Sequence, residues 1–426
     1  MFKLSILVGK STILVSRLIS HSGSALPGLV VEKTDSKFLK TALDQLPGGV
    51  ILITGTNGKT TTTKIISDLL EAQGLRALTN RSGSNFVRGI ISTIVKTINW
   101  NGHLIYDIAV FEQDEAYAVH FTKLYKPNGV VALNVGRDQL DRFGEIDKTA
   151  ELIGKVVSSA KDFVVLNAND PRIASLKSKT KARTAWFGHS EKLAEFFVPD
   201  DQHHFVDKPK YFKAAEADVI LSDFNSNQLS LTIGGKKHSA KTKLQGSQNA
   251  LNIAAAIATI ITSRPEITVE SILSALSSVK PAFGRGELIK LSSGAQLRLQ
   301  LVKNPASFTH NLRDLEEQKY GVIGIAINDD YPDGRDVSWL WDIDFADLAK
   351  QPGSIFCSGT RAYDMAVRLK YDEVPFKKTH TSLSKFVRDI LQSTDQNKVI
   401  FCTYTAMLKI RKILKSKAAE MSKEGI

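Results

Sequence analysis

The stretch Val50-Ile-Leu-Ile-Thr54-Gly55-Thr56-Asn57-Gly58-Lys59-Thr60-Thr61 decides how this chain folds. Four apolar residues run without interruption into a loop bracketed by glycines, and a helical pattern, Thr60–Gln73, follows at once. A short continuous apolar run suits a strand covered on both faces, as in a parallel sheet. The glycines let backbone N–H groups approach an anion, and the helix start adds its positive dipole end. In such a loop Lys59 reaches the β- and γ-phosphates of a nucleotide, and the Thr60 hydroxyl suits Mg²⁺. Counted from Gly55, the spacing is two residues shorter than the usual phosphate-loop pattern. Gly55, Thr56, Asn57, Gly58, Lys59, Thr60 and Thr61 form the expected nucleotide-binding set, with Lys59 its cation.

Outward from this loop, similar apolar runs recur at Asp107–Phe111, Val130–Asn134, Phe163–Asn167, Val322–Ile327, Ser354–Cys357 and Val399–Thr403, with helical stretches such as Asn249–Ile261 between some of them. Such interleaving predicts an α/β fold with parallel sheets. A nucleotide's Mg²⁺ needs a carboxylate at the end of a neighbouring strand, because hard oxygen ligands suit that ion. The run Asp107-Ile-Ala-Val-Phe-Glu112 supplies Glu112, with Asp114 and Glu115 as alternatives. Residues 180–245 are polar and Lys-rich, and Leu229, Leu231 and Ile233 alternate up to Gly234-Gly235, which predicts an antiparallel hairpin insert. A Gly/Ser-rich turn near Glu287–Ala295 marks a boundary. The expected organisation is a helical or linker segment over 1–45, a central ATP-binding domain over 46–292 and a C-terminal α/β domain over 293–426.

Composition narrows the class. The 426 residues are 42% hydrophobic and 23% charged, which excludes disordered, collagen-like and multi-span membrane chains. The net charge of +12 suggests anionic partners. Two cysteines, Cys357 and Cys402, are too few for a disulfide framework or a four-cysteine metal site, and a reducing cytosol is the natural compartment. No stretch approaches the ~20 apolar residues of a membrane span. Residues 1–24 carry Lys3, Lys10 and Arg17 and no acid. Lys10 and Arg17 interrupt the apolar core that a secretory signal requires. The segment reads as a basic amphipathic helix, packed on the first domain or touching a membrane surface.

The remaining motifs match one family. Gly55-Thr-Asn-Gly-Lys-Thr-Thr-Thr, Asn167-Ala-Asn-Asp-Pro171, Gly246-Ser-Gln-Asn249-Ala-Leu-Asn252 and Phe283-Gly-Arg285-Gly-Glu287 together resemble the central domain of Mur ligases. More narrowly, Thr79-Asn-Arg-Ser-Gly-Ser-Asn85, Asn134-Val-Gly-Arg-Asp-Gln-Leu-Asp-Arg-Phe-Gly144, Lys303-Asn-Pro305, Asn328-Asp-Asp-Tyr-Pro-Asp-Gly-Arg-Asp-Val-Ser-Trp-Leu-Trp-Asp342 and Ser358-Gly-Thr-Arg-Ala-Tyr-Asp-Met365 resemble the MurT family, from about Gly23 to Lys409. Members are ligase-like subunits of lipid II isoglutaminyl synthase and work with a GatD-type glutaminase.

The resemblance implies a Mur ligase-like central domain, a smaller α/β C-terminal domain, and ATP-dependent amidation of the α-carboxylate of D-glutamate in the lipid II stem peptide. The carboxylate is phosphorylated, and ammonia from the glutaminase displaces the phosphate. A carboxylate oxygen is a poor leaving group until phosphorylated, so catalysis reduces largely to positioning and charge neutralisation. By family position Asn249 would face the adenine and Arg285 the nucleotide. Asn80, Arg81, Asn85, Arg137 and Asp138 would line the substrate side. The resemblance also implies a heterodimer on the cytoplasmic side, at the inner membrane face if the substrate is lipid-linked, with no nucleic acid partner.

Two departures stand out. The four-cysteine zinc ribbon found in many relatives has no counterpart, so no zinc is expected. Where amino-acid-adding Mur ligases carry Asp-Tyr-Ala-His-x-Pro, this chain has Leu301-Val-Lys-Asn304-Pro305, which argues against an amino-acid acceptor. The rival readings are a stand-alone Mur or folylpolyglutamate-type ligase and a non-catalytic ATP-binding scaffold. Cys357 and Cys402 lie in strand-like runs without the elbow of an exposed nucleophile. His203-His204 reads as surface, and the run Lys409–Lys417 as a basic helix. In the segment Tyr331–Asp342, Trp339 and Trp341 suggest an aromatic anchor. The family implies that an aspartate of this domain supports the catalytic histidine of the glutaminase; Asp336 is the first choice and Asp333 the second, the alternative being acids that only cap the turn or pair with Arg335.

Overall fold

A computed structural model describes residues 1–18, 25–80, 86–136, 146–197, 216–225, 227–282, 284–315 and 319–420. Among them, nine strands form one sheet: β1 (Val50–Thr54), β2 (Ala77–Thr79), β3 (Ile108–Glu112), β4 (Gly129–Ala132), β5 (Phe163–Asn167), β6 (Arg183–His189), β7 (Val219–Phe224), β8 (Gln228–Ile233) and β9 (Lys236–Lys241). Their order is β2-β3-β1-β4-β5-β6-β7-β8-β9, parallel as far as β7 and antiparallel beyond it. The expected antiparallel hairpin is β8–β9, with Leu229, Leu231 and Ile233 buried along β8, but among the described residues of 180–245 it is not set apart: β6 continues the parallel sheet, and β7 joins the hairpin to it.

The unbroken apolar run of β1 has a direct cause. Val50 and Leu52 enter one core, Ile51 and Ile53 the other, so both faces are buried. The first core receives α1 (Phe2–Leu18), α2 (Leu26–Thr34), α3 (Phe38–Leu43), α5 (Val87–Thr97), α6 (Glu115–Leu124), α7 (Ile146–Val157) and α8 (Pro171–Ser175). The second receives α4 (Lys59–Ala72), α9 (Ser247–Ser263) and α10 (Val269–Ala275). Ile6, Val31, Phe38 and Leu43 are fully buried, so residues 1–45 are part of the first domain's core.

A second sheet contains β10 (Arg285–Leu291), β11 (Gln296–Leu301), β12 (Val322–Ala326), β13 (Ser354–Ser358), β14 (Lys378–His380), β15 (Asn397–Cys402) and β16 (Ala418–Glu420), ordered β14-β13-β12-β15-β11-β10-β16. The helices α11 (Pro305–Arg313), α12 (Ala362–Tyr371), α13 (Leu383–Gln392) and α14 (Tyr404–Leu414) belong to this domain. The boundary lies earlier than the turn at 292–294 suggests. β10 alternates buried and exposed residues and pairs with β11, so the Gly/Ser turn is a hairpin inside the second sheet. Within α14, Arg411 is buried against Glu287 of β10, so the basic run is not a uniformly solvated face.

Candidate active site

The phosphate loop leaves the C-terminal end of β1, where β1 lies between β3 and β4. That is where α/β sheets open a ligand crevice. Gly58 caps α4 with φ +90°, and Gly55 has φ +127°, conformations that favour glycine. A Cβ on Gly58 would stand 2.4 Å from Asn252 Oδ1, so α9 presses on the loop from behind. Asn134 clamps the loop from β4's side: its Oδ1 accepts from Asn57 N–H at 2.8 Å, and its amide donates to Asn57 O at 3.0 Å. The Lys59 ammonium is buried, donates to Gly55 O at 2.6 Å and lies 3.1 Å from Asp114 and 3.9 Å from Glu115. It is a cation held on the loop by local oxygens.

Glu112 ends β3 beside this lysine, 5% exposed. Burial pushes its carboxyl above the ordinary carboxylate range, opposed by Arg285, by the Thr60 hydroxyl and by Lys59. Its Oε2 is buried with no hydrogen-bond partner among the described residues. An open carboxylate oxygen beside a P-loop threonine is the donor set Mg²⁺ accepts when phosphate and water complete its shell. Thr60 and Glu112 therefore fit the ion, whereas Asp114 and Glu115 are engaged with Lys59.

Asn80 is buried at the end of β2, and its amide exchanges hydrogen bonds with the Glu112 backbone, at 2.8 Å to the carbonyl and 3.0 Å from the N–H. It fixes the strand end that carries Glu112. Arg285, half-buried at the start of β10, has its pKa drawn down by burial and upheld by Glu112, Asp114 and Tyr404. Asn249 lies in the first turn of α9 and donates to Gln245 O at 2.7 Å. Arg81, Asn85, Arg137, Asp138, His203 and His204 lie outside the described residues.

Sequence reasoning did not assign two groups to the site. The first is the second domain's contact with the loop. Lys303 Nζ donates to Thr56 O at 3.1 Å, and the Asn304 amide donates to Asn57 Oδ1 at 3.0 Å. Asn304 also caps α11 by accepting from Ser307 N–H, so the helix start holds it in place. The second is a cleft beside Asn57 and Gly136, lined by Asn169, Asp170, His189, Gln248 and His310. His189 stacks on Phe197 at 4.6 Å. Asp170 accepts from the N–H groups of Val135, Arg172 and Ile173, and burial raises its pKa to about 6. The Asn-Asp-Pro171 pattern was the available signal, since Asp before Pro marks a helix cap.

In the C-terminal domain, Asp333 is buried and accepts from Thr405 N–H at 2.8 Å and from its hydroxyl at 2.5 Å. Asp336 is exposed and caps the next turn, accepting from Ser338 N–H and hydroxyl at 2.8 and 2.9 Å. Trp339 packs on Phe308 in the core, so only Trp341, 51% exposed, remains from the expected aromatic pair. Trp341 meets Tyr371 edge-on at 5.3 Å, and Tyr331, Tyr363 and Tyr371 are also exposed. Both cysteines are buried, and burial raises the Cys357 thiol to about 12.

Comparison with known proteins places this geometry. Residues 53–260 match the Mur ligase middle domain and 301–407 the MurT ligase C-terminal domain. The subunit MurT of lipid II isoglutaminyl synthase (glutamine-hydrolyzing) from Staphylococcus aureus is 31% identical, over 84% of this chain and 85% of that protein. The chain belongs to the MurT family. The Streptococcus pneumoniae MurT subunit is 28% identical over 97% of each chain. Among solved structures, MurF from Acinetobacter baumannii superposes with a TM-score of 0.68 at 18% identity, over 91% of this chain and 81% of that one. MurF from Thermotoga maritima in complex with ADP gives 0.67, also at 18% identity, over 90% and 83%. The fold of this MurT-family chain is thus that of the Mur ligases.

Proposed function

We propose that this chain is the ATP-dependent synthetase subunit of a glutamine-hydrolysing amidotransferase. It amidates the α-carboxylate of D-glutamate in the lipid II stem peptide, in complex with a GatD-type glutaminase. The observation that carries the reading is one crevice holding a phosphate loop with Lys59, the open Glu112 oxygen, and Lys303 and Asn304 from the second domain.

A carboxylate oxygen of the substrate attacks the γ-phosphorus of ATP, the bond to the bridging oxygen breaks, and ADP leaves. Lys59 and the loop N–H groups offset the charge on the transferring phosphoryl group. Thr60 and Glu112 would hold Mg²⁺, which when bound neutralises phosphate charge. Ammonia then attacks the carbonyl carbon of the acyl phosphate, the C–O bond to phosphate breaks, and the nitrogen loses a proton. Neither cysteine is open as a glutaminase nucleophile, since Cys357 and Cys402 are buried. In this reading the partner releases the ammonia. Exposed Asp336 is our choice for the carboxylate that meets the partner's catalytic histidine, and the exposed Trp341, Tyr331 and Tyr371 of the same domain suit a protein interface. The work is placed at the inner membrane face, where a lipid-linked substrate is reached.

The test is amidation of a lipid II substrate, read as the mass change of replacing a hydroxyl by an amino group. The isolated chain should use ammonium and not glutamine, and the co-purified complex should use both. Amino-acid addition, or ATP turnover with neither nitrogen source incorporated, would overturn the reading.

A further inference from the structure

Helix α1 has three faces, and the fold uses one. Ser5, Ile6 and Gly9 are buried against the first domain. On the opposite side Leu4, Leu7, Leu14 and Val15 are 62, 52, 57 and 52% exposed, with Ser11 between them. Spacings of three, four and seven place these residues on one stripe of the helix. Leu26, at the start of α2, is also exposed and lines an open apolar groove with Leu7 and Val15. A soluble domain rarely leaves a contiguous apolar stripe uncovered without a use for it.

The charges beside the stripe say what covers it. Lys3 and Lys10 stand seven residues apart on one row of α1, and α1 holds no acid. Lys10 Nζ lies 5.1 Å over the ring of Trp100, which is 62% exposed. The helices packed against α1 add exposed Lys33, Lys37 and Lys96. Their acids are already engaged. Glu32 pairs with Arg88 at 2.7 Å and faces His120, Asp35 is buried and accepts from Ser5, and Asp44 pairs with Lys40. An apolar stripe flanked by cations and an exposed tryptophan matches the boundary between lipid headgroups and acyl chains. The other basic helix, α14, lacks this pattern, because Arg411 points inward and Lys409 pairs with Asp330 at 3.4 Å.

We infer that the outward stripe of α1, with Lys3, Lys10 and Trp100, docks this chain on an anionic lipid bilayer. The leucines enter the acyl boundary while the lysines meet the headgroups. This stands on α1 and the residues packed beside it, independently of the proposed reaction, which it would serve by holding the crevice next to a lipid-linked substrate.

The test is co-sedimentation of the full chain with vesicles of phosphatidylglycerol and phosphatidylcholine, compared with phosphatidylcholine alone. The unaltered protein should bind the anionic vesicles and be released by salt. Leu7→Glu/Leu14→Glu, and separately Lys3→Glu/Lys10→Glu, should each weaken binding on the order of tenfold. Both should keep the melting temperature and ATP turnover on a water-soluble substrate, so a failure of the ligase reading stays distinguishable. Binding that is absent, equal on neutral vesicles, or unchanged in both variants overturns the proposal. So does a dimer dispersed by Leu7→Glu/Leu14→Glu without vesicles, which would assign the stripe to a second copy.

Discussion

The Lys303 ammonium donates to the Thr56 carbonyl at 3.1 Å, across the junction between the two sheets. A cation of the second domain thus touches the loop that would hold ATP, and Asn304 on Asn57 reinforces the contact. A hydrogen bond to a charged donor contributes about 1.5–3 kcal/mol. Lys303→Met should therefore weaken domain closure and raise the KM for ATP about tenfold, with no loss of thermal stability in the separate cores. Nucleotide titration by calorimetry, alongside steady-state kinetics, checks this. An unchanged KM would make the contact incidental.

Lys59 is the sharper case, because its charge sits on the loop itself. Lys59→Ala should lower ATP turnover on the order of a thousandfold, the scale for losing one preorganised transition-state donor. Partner binding should persist, since the exposed aromatic face lies on the other domain. Retained amidation would remove phosphoryl transfer at this loop from the mechanism.

The raised pKa of Glu112 gives a pH signature. A buried carboxylate must be ionised to hold Mg²⁺, so the ion needed for half-maximal turnover should rise as pH falls through the raised value. The stability sign is opposite to that of a salt-bridged acid. Here the native state binds the proton more tightly than the unfolded chain, so this group favours folding more as pH falls. Glu112→Gln should need more Mg²⁺ at every pH and lose the pH dependence. A Mg²⁺ requirement that stays flat with pH in the unaltered protein would separate Glu112 from the ion.

Glu287 and Arg411 form a buried ion pair joining β10 to α14. Removing one partner strands a charge, so Arg411→Leu should cost about 3–5 kcal/mol, read by urea unfolding. Replacing both by leucine should recover most of that loss, because the desolvation cost of both charges disappears with them. An equal loss in the double variant would mean the site cannot repack.

These cases show what was legible in the sequence. The β1 loop and Glu112 were readable because each follows a short apolar strand, and chemistry at a strand end needs only local pattern. β10 was assigned to the wrong side of the boundary because its register with β11 is a tertiary property; the Gly/Ser turn looks the same as a linker or as a hairpin. His189 and His310 meet in the cleft from residues more than a hundred positions apart, and no local spacing announces that. Trp339 and Trp341 stand two apart, yet one enters the core and the other faces solvent. Their composition is identical, and only packing separates them.

The same logic favours Asp336 over Asp333 as the proposed partner-facing carboxylate. Asp333 is withdrawn: both oxygens serve Thr405, and burial raises its pKa. Asp336 also caps a turn, through Ser338, but it does so at the surface, where further donors can reach it. A histidine in a Cys–His pair needs such a carboxylate to hold its tautomer and stabilise its charged form. Asp336→Asn keeps one capping oxygen for the Ser338 N–H, so the turn should survive and complex formation should be unaffected. Glutamine-dependent amidation should fall on the order of a thousandfold or more, the scale seen when a triad carboxylate is neutralised. Ammonium-dependent amidation should be spared, because the crevice around Lys59 is untouched. Asp333→Asn should instead lower the melting temperature and depress both reactions together, since it loosens α14. If ammonium-dependent amidation falls equally in Asp336→Asn, the residue supports the fold or the ATP site, and the partner's histidine takes its carboxylate from elsewhere.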